Sequence, residues 1–140
     1  MIENFKIISS FIKDMSSETA DAQTFIFVRD KISKYQLNID INSKAVNNGI
    51  IEVNTILKFS DLPEILKKSH FEITYTSIVK IDEKVSDKKE MEKIILCDVP
   101  NKIYPDLERI FLNLLTDSGY PGIKFEKKID FIELFKQRSN

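Results

Sequence analysis

The sequence is poor in residues that cross-link, coordinate or break a chain. It has one cysteine, Cys97, one histidine, His70, three glycines, four prolines and no tryptophan in 140 residues. A lone cysteine excludes an internal disulfide framework and makes a reducing compartment the simpler expectation. One Cys and one His far apart in sequence form no ligand cluster for a metal. Gly119 and Gly122 do not open a helix as a phosphate-binding loop requires. No apolar run approaches the roughly 20 residues of a membrane-spanning helix. Met1–Phe11, interrupted by Glu3, Asn4 and Lys6, lacks the apolar stretch of a secretory signal. Neither sign of charge dominates: 21 Lys and Arg stand against 22 Asp and Glu, a net charge of -1. That balance excludes a nucleic-acid binder working through overall basicity. The expectation is a soluble cytoplasmic protein that does not insert into membranes and has no nucleic-acid partner.

What is present is an ordinary globular composition, 42% hydrophobic and 31% charged, sized for one domain over residues 1–140. Phe5–Met15 is β-rich and reads as a first strand, and the small polar residues Ser16–Thr24 as a loop. Phe25-Ile26-Phe27-Val28 is a short apolar run with no evident role. Leu37–Ile41 alternates with period two, Asn47-Asn48-Gly49 is a turn, and Ile51, Val53, Thr55, Leu57 and Phe59 share one face, so Leu37–Phe59 is a hairpin. Asp61–Lys68 is a connection. His70–Ile81 is the strongest strand, with Phe71, Ile73, Tyr75, Ser77, Val79 and Ile81 on one face. The period then changes. Asp87–Cys97 reads as a helix stopped by Asp98-Val99-Pro100-Asn101. Pro105–Ser118 reads as a second, with Pro105 in its first turn and Leu107, Ile110, Phe111, Leu114 and Leu115 as its stripe. Gly119 ends it, and Asp130 caps a short closing helix carrying Phe131, Leu134 and Phe135. Strands first and helices second predict an α+β fold: a four-stranded antiparallel sheet, meander or Greek key, with C-terminal helices on one side.

No group of residues reads as an active site, and no cofactor is required. His70 beside Lys67-Lys68 reads as a surface histidine, and Cys97 near a helix C-terminus as a packing residue, since the dipole there disfavours a thiolate. The basic pairs Lys88-Lys89 and Lys127-Lys128 are mixed with acids and read as solvated surface. Apolar residues are in surplus. One layer of helices covers one sheet face, so the rest of the apolar surface points to a second copy of the chain.

Four segments carry a family resemblance. Ile12-Lys13-Asp14-Met15-Ser16-Ser17-Glu18 resembles the first-strand motif of the SecB protein-export chaperones. Asp98-Val99-Pro100-Asn101-Lys102-Ile103-Tyr104-Pro105 is similar to their C-P-N-x-[LI]-[FY]-P turn, with Val99 where a cysteine is common. Asp117-Ser118-Gly119-Tyr120-Pro121 resembles their G-[FY]-P turn, and Ile129–Phe135 their closing helix. Asp21-Ala22-Gln23 replaces the family's N-A-P. The order and spacing hold from about Phe11 to Arg138.

The resemblance implies a non-enzymatic holdase, assembled as a homotetramer (a dimer of dimers), that binds unfolded precursor proteins and passes them to the SecA export ATPase. It implies a client groove lined by Phe25, Ile26, Phe27, Ile103, Tyr104, Phe131 and Phe135. It also implies a SecA-binding set, Asp14, Glu18 and Glu72, and an oligomer contact through Phe71, Ile73 and Tyr75. Other readings remain at this point. One is a SecB-like chaperone serving a toxin–antitoxin pair. Another is a small-ligand or enzymatic α+β domain using His70 or Asp40. A third is an interaction subunit with one fixed partner.

Overall fold

The computed structural model describes residues 4–60, 69–125 and 129–139 of the chain. The connection expected over 61–68 and the Lys127-Lys128 pair lie outside the described residues. Strands β1 (Phe5–Glu18), β2 (Gln36–Asn47), β3 (Ile50–Ser60) and β4 (His70–Ile81) form a four-stranded antiparallel sheet in the order β1-β4-β3-β2. β2, β3 and β4 follow one another as a meander, and β1 returns to the far side of β4, which is the Greek-key arrangement. The β2–β3 hairpin turns at Asn48-Gly49, with Gly49 at φ 75°, a left-handed conformation that glycine adopts without steric cost.

The alternation expected for β3 and β4 is observed. Val53, Thr55, Leu57, Phe59, Phe71, Ile73, Tyr75, Ser77, Val79 and Ile81 are all buried. Helices cover this face. Helix α3 (Val99–Asp117) lays Leu107, Phe111 and Leu115, each fully buried, on the Phe59–Phe71 end of the sheet. Phe59 meets Phe111 edge-on at 6.4 Å and Phe125 at 5.7 Å. A second buried cluster joins Phe5, Val53, Val79 and Ile81 of the sheet to Ile94 and Val99. Fully burying an aliphatic or aromatic side chain of this kind is worth about 1.5–3 kcal/mol.

Three sequence expectations change. β1 runs through Glu18, so Ser16–Glu18 is strand. Asp21-Ala22-Gln23 is no loop: Asp21 Oδ1 accepts from Thr24 N–H at 2.8 Å and from the Thr24 hydroxyl at 2.7 Å, capping helix α1 (Ala22–Arg29). The Phe25–Val28 run therefore lies in a helix, with Thr24 and Val28 buried one turn apart and Ile26 facing out. Finally, Asp98–Asn101 does not stop a helix. Helix α2 (Lys88–Lys93), capped by Asp87, continues through a π-helical turn (Ile94–Asp98) into α3. Pro100 falls at the start of α3 and Pro105 inside it. A proline lacks the N–H and crowds the carbonyl of the preceding turn, and the wider π turn lies directly ahead of Pro100. Pro105 is exposed, so water can serve the carbonyl it leaves without a donor.

Helix α4 (Phe131–Ser139) closes the fold, with Glu133 N–H donating to Asp130 Oδ1 at 3.1 Å as expected for the cap. Buried Ser69 ties the corner between β1, β4 and α3. Its hydroxyl bonds Thr19 Oγ1 at 2.7 Å and the Tyr120 hydroxyl at 3.2 Å, and its N–H donates to the Tyr35 hydroxyl at 3.0 Å.

Candidate functional site

An open, partly apolar groove of about 1420 Å³ lies between the first half of β2 and the C-terminal segment. Leu37 and Ile39, the inward residues of β2, form one wall with Tyr35 and Phe59. Residues 121–125, Ile129 and Leu134 of α4 form the other. A smaller cavity of about 260 Å³ shares Ile39, Leu134 and Gln137 and adds Ile41, Leu96 and Phe135, so the two form one furrow beside β2. Tyr35 is a fixed wall: its ring lies 5.3 Å from Phe59 and its hydroxyl is clipped to Ser69 main chain.

Of the seven residues expected to line a client groove, Phe135 is in this furrow, in the smaller cavity. Ile103, Tyr104 and Phe131 are at most 8% exposed and fill the core. Phe25 and Phe27 are half-buried against that core. The Phe25 ring packs on Tyr120 at 5.1 Å, directly over Gly119. Ile26 is 53% exposed on α1, outside the groove lining. The groove residues missed from sequence are Leu37, Ile39, Phe125 and Leu134. The β2 alternation and the α4 stripe contained a signal for three of them. Phe125 lies in an irregular segment with no periodicity to read.

The three residues expected at an oligomer contact require correction. Phe71, Ile73 and Tyr75 are 0%, 0% and 9% exposed within a single chain, under the helix layer. Their surface is already consumed, so they present nothing to a second copy. Ile26, Val46, Ile132 and Leu134 are exposed on other elements, but four exposed large apolar residues fall on one element, β1, the outer strand beside β4. Ile8, Phe11, Ile12 and Met15 are each 43–50% exposed there. Register shifts between Ile7 and Ser9 and between Ile12 and Asp14 mark bulges along this strand.

The three acidic residues, in contrast, are brought together. Glu18 faces His70 across the β1–β4 pair, Ser16 faces Glu72, and Asp14 faces Thr74. Alternation therefore puts Asp14, Glu18 and Glu72 on the same sheet face, opposite the helices. Directly opposed and diagonal residues on one face lie within about 8 Å of each other. Glu72 Oε1 pairs with Lys58 Nζ at 3.5 Å. Further along this face, Glu52 accepts from Asn54 Nδ2 and Lys13 Nζ, both at 3.0 Å. Those two hydrogen bonds hold its carboxyl below the usual range.

Two buried groups, Cys97 and Tyr104, are held toward their protonated forms. Burial, and then the Asp98 charge, push the Cys97 thiol up. Burial, and then the Glu108 charge, push Tyr104 up to about 12. Among the described residues no three or more of His, Cys, Asp and Glu are grouped to hold a metal ion, and no helix is long and apolar enough to cross a membrane.

The sheet and its helix layer match the fold of a solved SecB-like protein. The SecB-like chaperone of Mycobacterium tuberculosis, solved in complex with a peptide from an antitoxin, matches with a TM-score of 0.66 over 89% of this chain and 91% of that one, at 10% sequence identity. The chain belongs to the SecB family, whose model, described as preprotein translocase subunit SecB, matches residues 2–140. It is 88% identical over 140 residues, the whole of both chains, to the putative protein-export protein SecB of Pelagibacter ubique. It is 28% identical over 141 residues to the protein-export protein SecB of Dinoroseobacter shibae, covering 98% of this chain and 79% of that one.

Proposed function

We propose that this chain is an export holdase that binds unfolded precursor proteins in the β2–α4 furrow and delivers them to the SecA ATPase. The observation that carries the reading is the furrow itself. It is open, lined by Leu37, Ile39, Phe59, Phe125 and Leu134, and bordered by a strand at the sheet edge, in a chain of the SecB family. A holdase must accept many sequences, so an apolar trough without a fixed polar code suits it. Asp14, Glu18 and Glu72 offer a basic tail of SecA three carboxylates on the face away from the furrow, leaving both partners room to bind. Self-assembly to a tetramer uses the apolar edge of β1, which an edge strand of this length and composition otherwise leaves open to uncontrolled pairing. The protein acts in the cytoplasm and carries out no chemistry. Export is favoured over an antitoxin role because the 88% identical relative is named for export, while the antitoxin-bound neighbour at 10% identity bears on fold alone.

The test is suppression of aggregation of several unrelated denatured proteins, with Leu37→Ser and Leu134→Ser as the groove variants. Both lie at the partly exposed wall, so the variants should lose protection at nearly unchanged thermal stability. Full protection by the double variant, or activity toward one protein only, would overturn the assignment.

A further inference from the structure

The two walls of the furrow come from distant parts of the chain, yet one buried residue holds a support of each. Tyr35 stands in the strand wall, next to Gln36 where β2 begins. Tyr120 directly precedes Pro121 and Gly122, which open the other wall. Both phenol hydroxyls end on Ser69, which is fully buried. The Tyr35 hydroxyl accepts from the Ser69 N–H at 3.0 Å and donates to the Ser69 C=O at 3.2 Å. The Tyr120 hydroxyl shares a hydrogen bond with Ser69 Oγ at 3.2 Å. Ser69 Oγ also bonds Thr19 Oγ1 at 2.7 Å, one residue past the end of β1. A hydroxyl has one proton and two lone pairs, so Ser69 can donate to one of these oxygens and accept from the other. A second stitch lies close by. Ser17 Oγ bonds Ser118 Oγ at 2.7 Å, and Ser118 Oγ donates to the Leu114 C=O at 2.6 Å, fastening the end of β1 to the end of α3.

Packing alone does not call for these hydroxyls. Apolar side chains of the same shape fill a core about as well, because a buried hydrogen bond between neutral groups adds little over apolar contact. A satisfied buried network adds direction, since it fixes distances and angles that ring packing leaves loose. The rings of Tyr35 and Tyr120 both rest on Phe71, at 6.5 and 5.6 Å, and their hydroxyls decide where on it they sit. The strand wall is held by the sheet. Residues 121–125 belong to neither helix nor strand, so their place depends on how Tyr120 is anchored. We infer that Ser69 is a positioning residue for the furrow: by holding Tyr35 and Tyr120 on one buried group, it fixes the separation of the two walls. The inference rests on the client-binding reading above and adds what sets the width of the trough. A trough formed in advance spares an incoming segment the cost of ordering its walls.

The test measures the walls and the binding separately. Spin labels on Asn38→Cys and Lys124→Cys, exposed positions on the two walls, report the separation by pulsed electron resonance. The native Cys97 is buried and stays unlabelled. Binding is followed by fluorescence anisotropy of a labelled synthetic peptide of Phe and Ser. The parent should give one narrow distance distribution. Ser69→Ala and Tyr120→Phe should each broaden it and weaken the peptide about two- to tenfold, the range of one neutral hydrogen bond. Thr19→Ser keeps the hydroxyl and should behave like the parent. Thr76→Val is the matched control. It removes another buried hydrogen bond, from Thr76 Oγ1 to Asn54 Oδ1 at 2.7 Å, on the sheet face opposite the helices. It should lower the urea midpoint as the others do, with wall separation and peptide affinity unchanged. An unchanged distribution in Ser69→Ala and Tyr120→Phe overturns the inference, as does equal weakening of the peptide by Thr76→Val. If Ser69→Ala does not fold, Tyr120→Phe decides alone. Failure of the parent to bind the peptide removes the client-binding reading, while the distance measurement still decides the part of Ser69.

Discussion

Tyr104 carries the one buried side-chain polar atom without a hydrogen-bond partner in the described structure, its hydroxyl. The ring is well used, meeting Phe131 at 5.6 Å between α3 and α4, but the hydroxyl has lost water and gained nothing, a cost of about 1–3 kcal/mol. Tyr104→Phe should therefore raise stability by about 1 kcal/mol in urea denaturation. It should also change the pH dependence. The folded protein holds the phenol proton to about 12, against an ordinary 10.0. Above the lower value the unfolded chain has ionised and the folded chain has not, so stability falls as pH rises toward the upper value. The Phe variant should lack that share of the alkaline loss. A variant less stable than the parent would mean that the hydroxyl has a partner after all. At this scale the sequence was partly legible. Gly119 could be read as a helix terminator, and its φ of 103° agrees. That a Cβ there would collide with the Phe25 ring could not be read, because it depends on how α1 docks on the end of α3.

Elements show where local signals win and where they lose. The β2–β3 hairpin and β4 were legible because a half-buried strand writes its burial in alternate residues. Helix α1 was not. It is too short to repeat its stripe, and its buried positions, Thr24 and Val28, flank the conspicuous aromatics instead of including them. The join of α2 to α3 was misread because prolines ordinarily mark helix ends. The acid strip needed both kinds of information, family motif for the residues and β1–β4 register for their common face. It also includes an opponent that no motif suggested. Lys58 lies directly across β3–β4 from Glu72 and already pairs with it, so a basic tail binding at the strip, as proposed, would have to displace it. Glu72→Lys should abolish binding of a SecA tail peptide. Lys58→Met should strengthen it about two- to fivefold, the range of an exposed ion pair, and added salt should weaken the parent. Calorimetric titration decides this. An unchanged affinity in Glu72→Lys would take Glu72 out of the partner surface, whereas a change confined to Glu72→Lys would show that Lys58 does not compete.

For the whole molecule, the sheet order would keep the two proposed tasks, client binding and self-assembly, apart. β1 and β2 are the opposite edges of one sheet. The exposed apolar residues of β1 lie at the edge remote from the furrow along β2, and the acid strip occupies the sheet face that the helices leave bare. A chain assembled through β1 would keep every furrow open. That arrangement was the least legible part, since burial in the tertiary structure decided that Phe71, Ile73 and Tyr75 are core and that four of the exposed apolar residues gather on β1. It makes a separable prediction. Met15→Lys with Ile12→Lys puts charge on the β1 edge, at positions 45% and 43% exposed, so the single chain should fold with little loss. Light scattering should then report smaller species, and binding of a denatured client per chain should persist, weakened only through lost avidity where a client spans several furrows. Leu37→Ser should give the reverse, full-size assemblies with weakened client binding. An assembly unaffected by charge on β1 would place the self-contact elsewhere. Loss of all client binding along with the assembly would mean that a furrow is completed by a neighbouring chain.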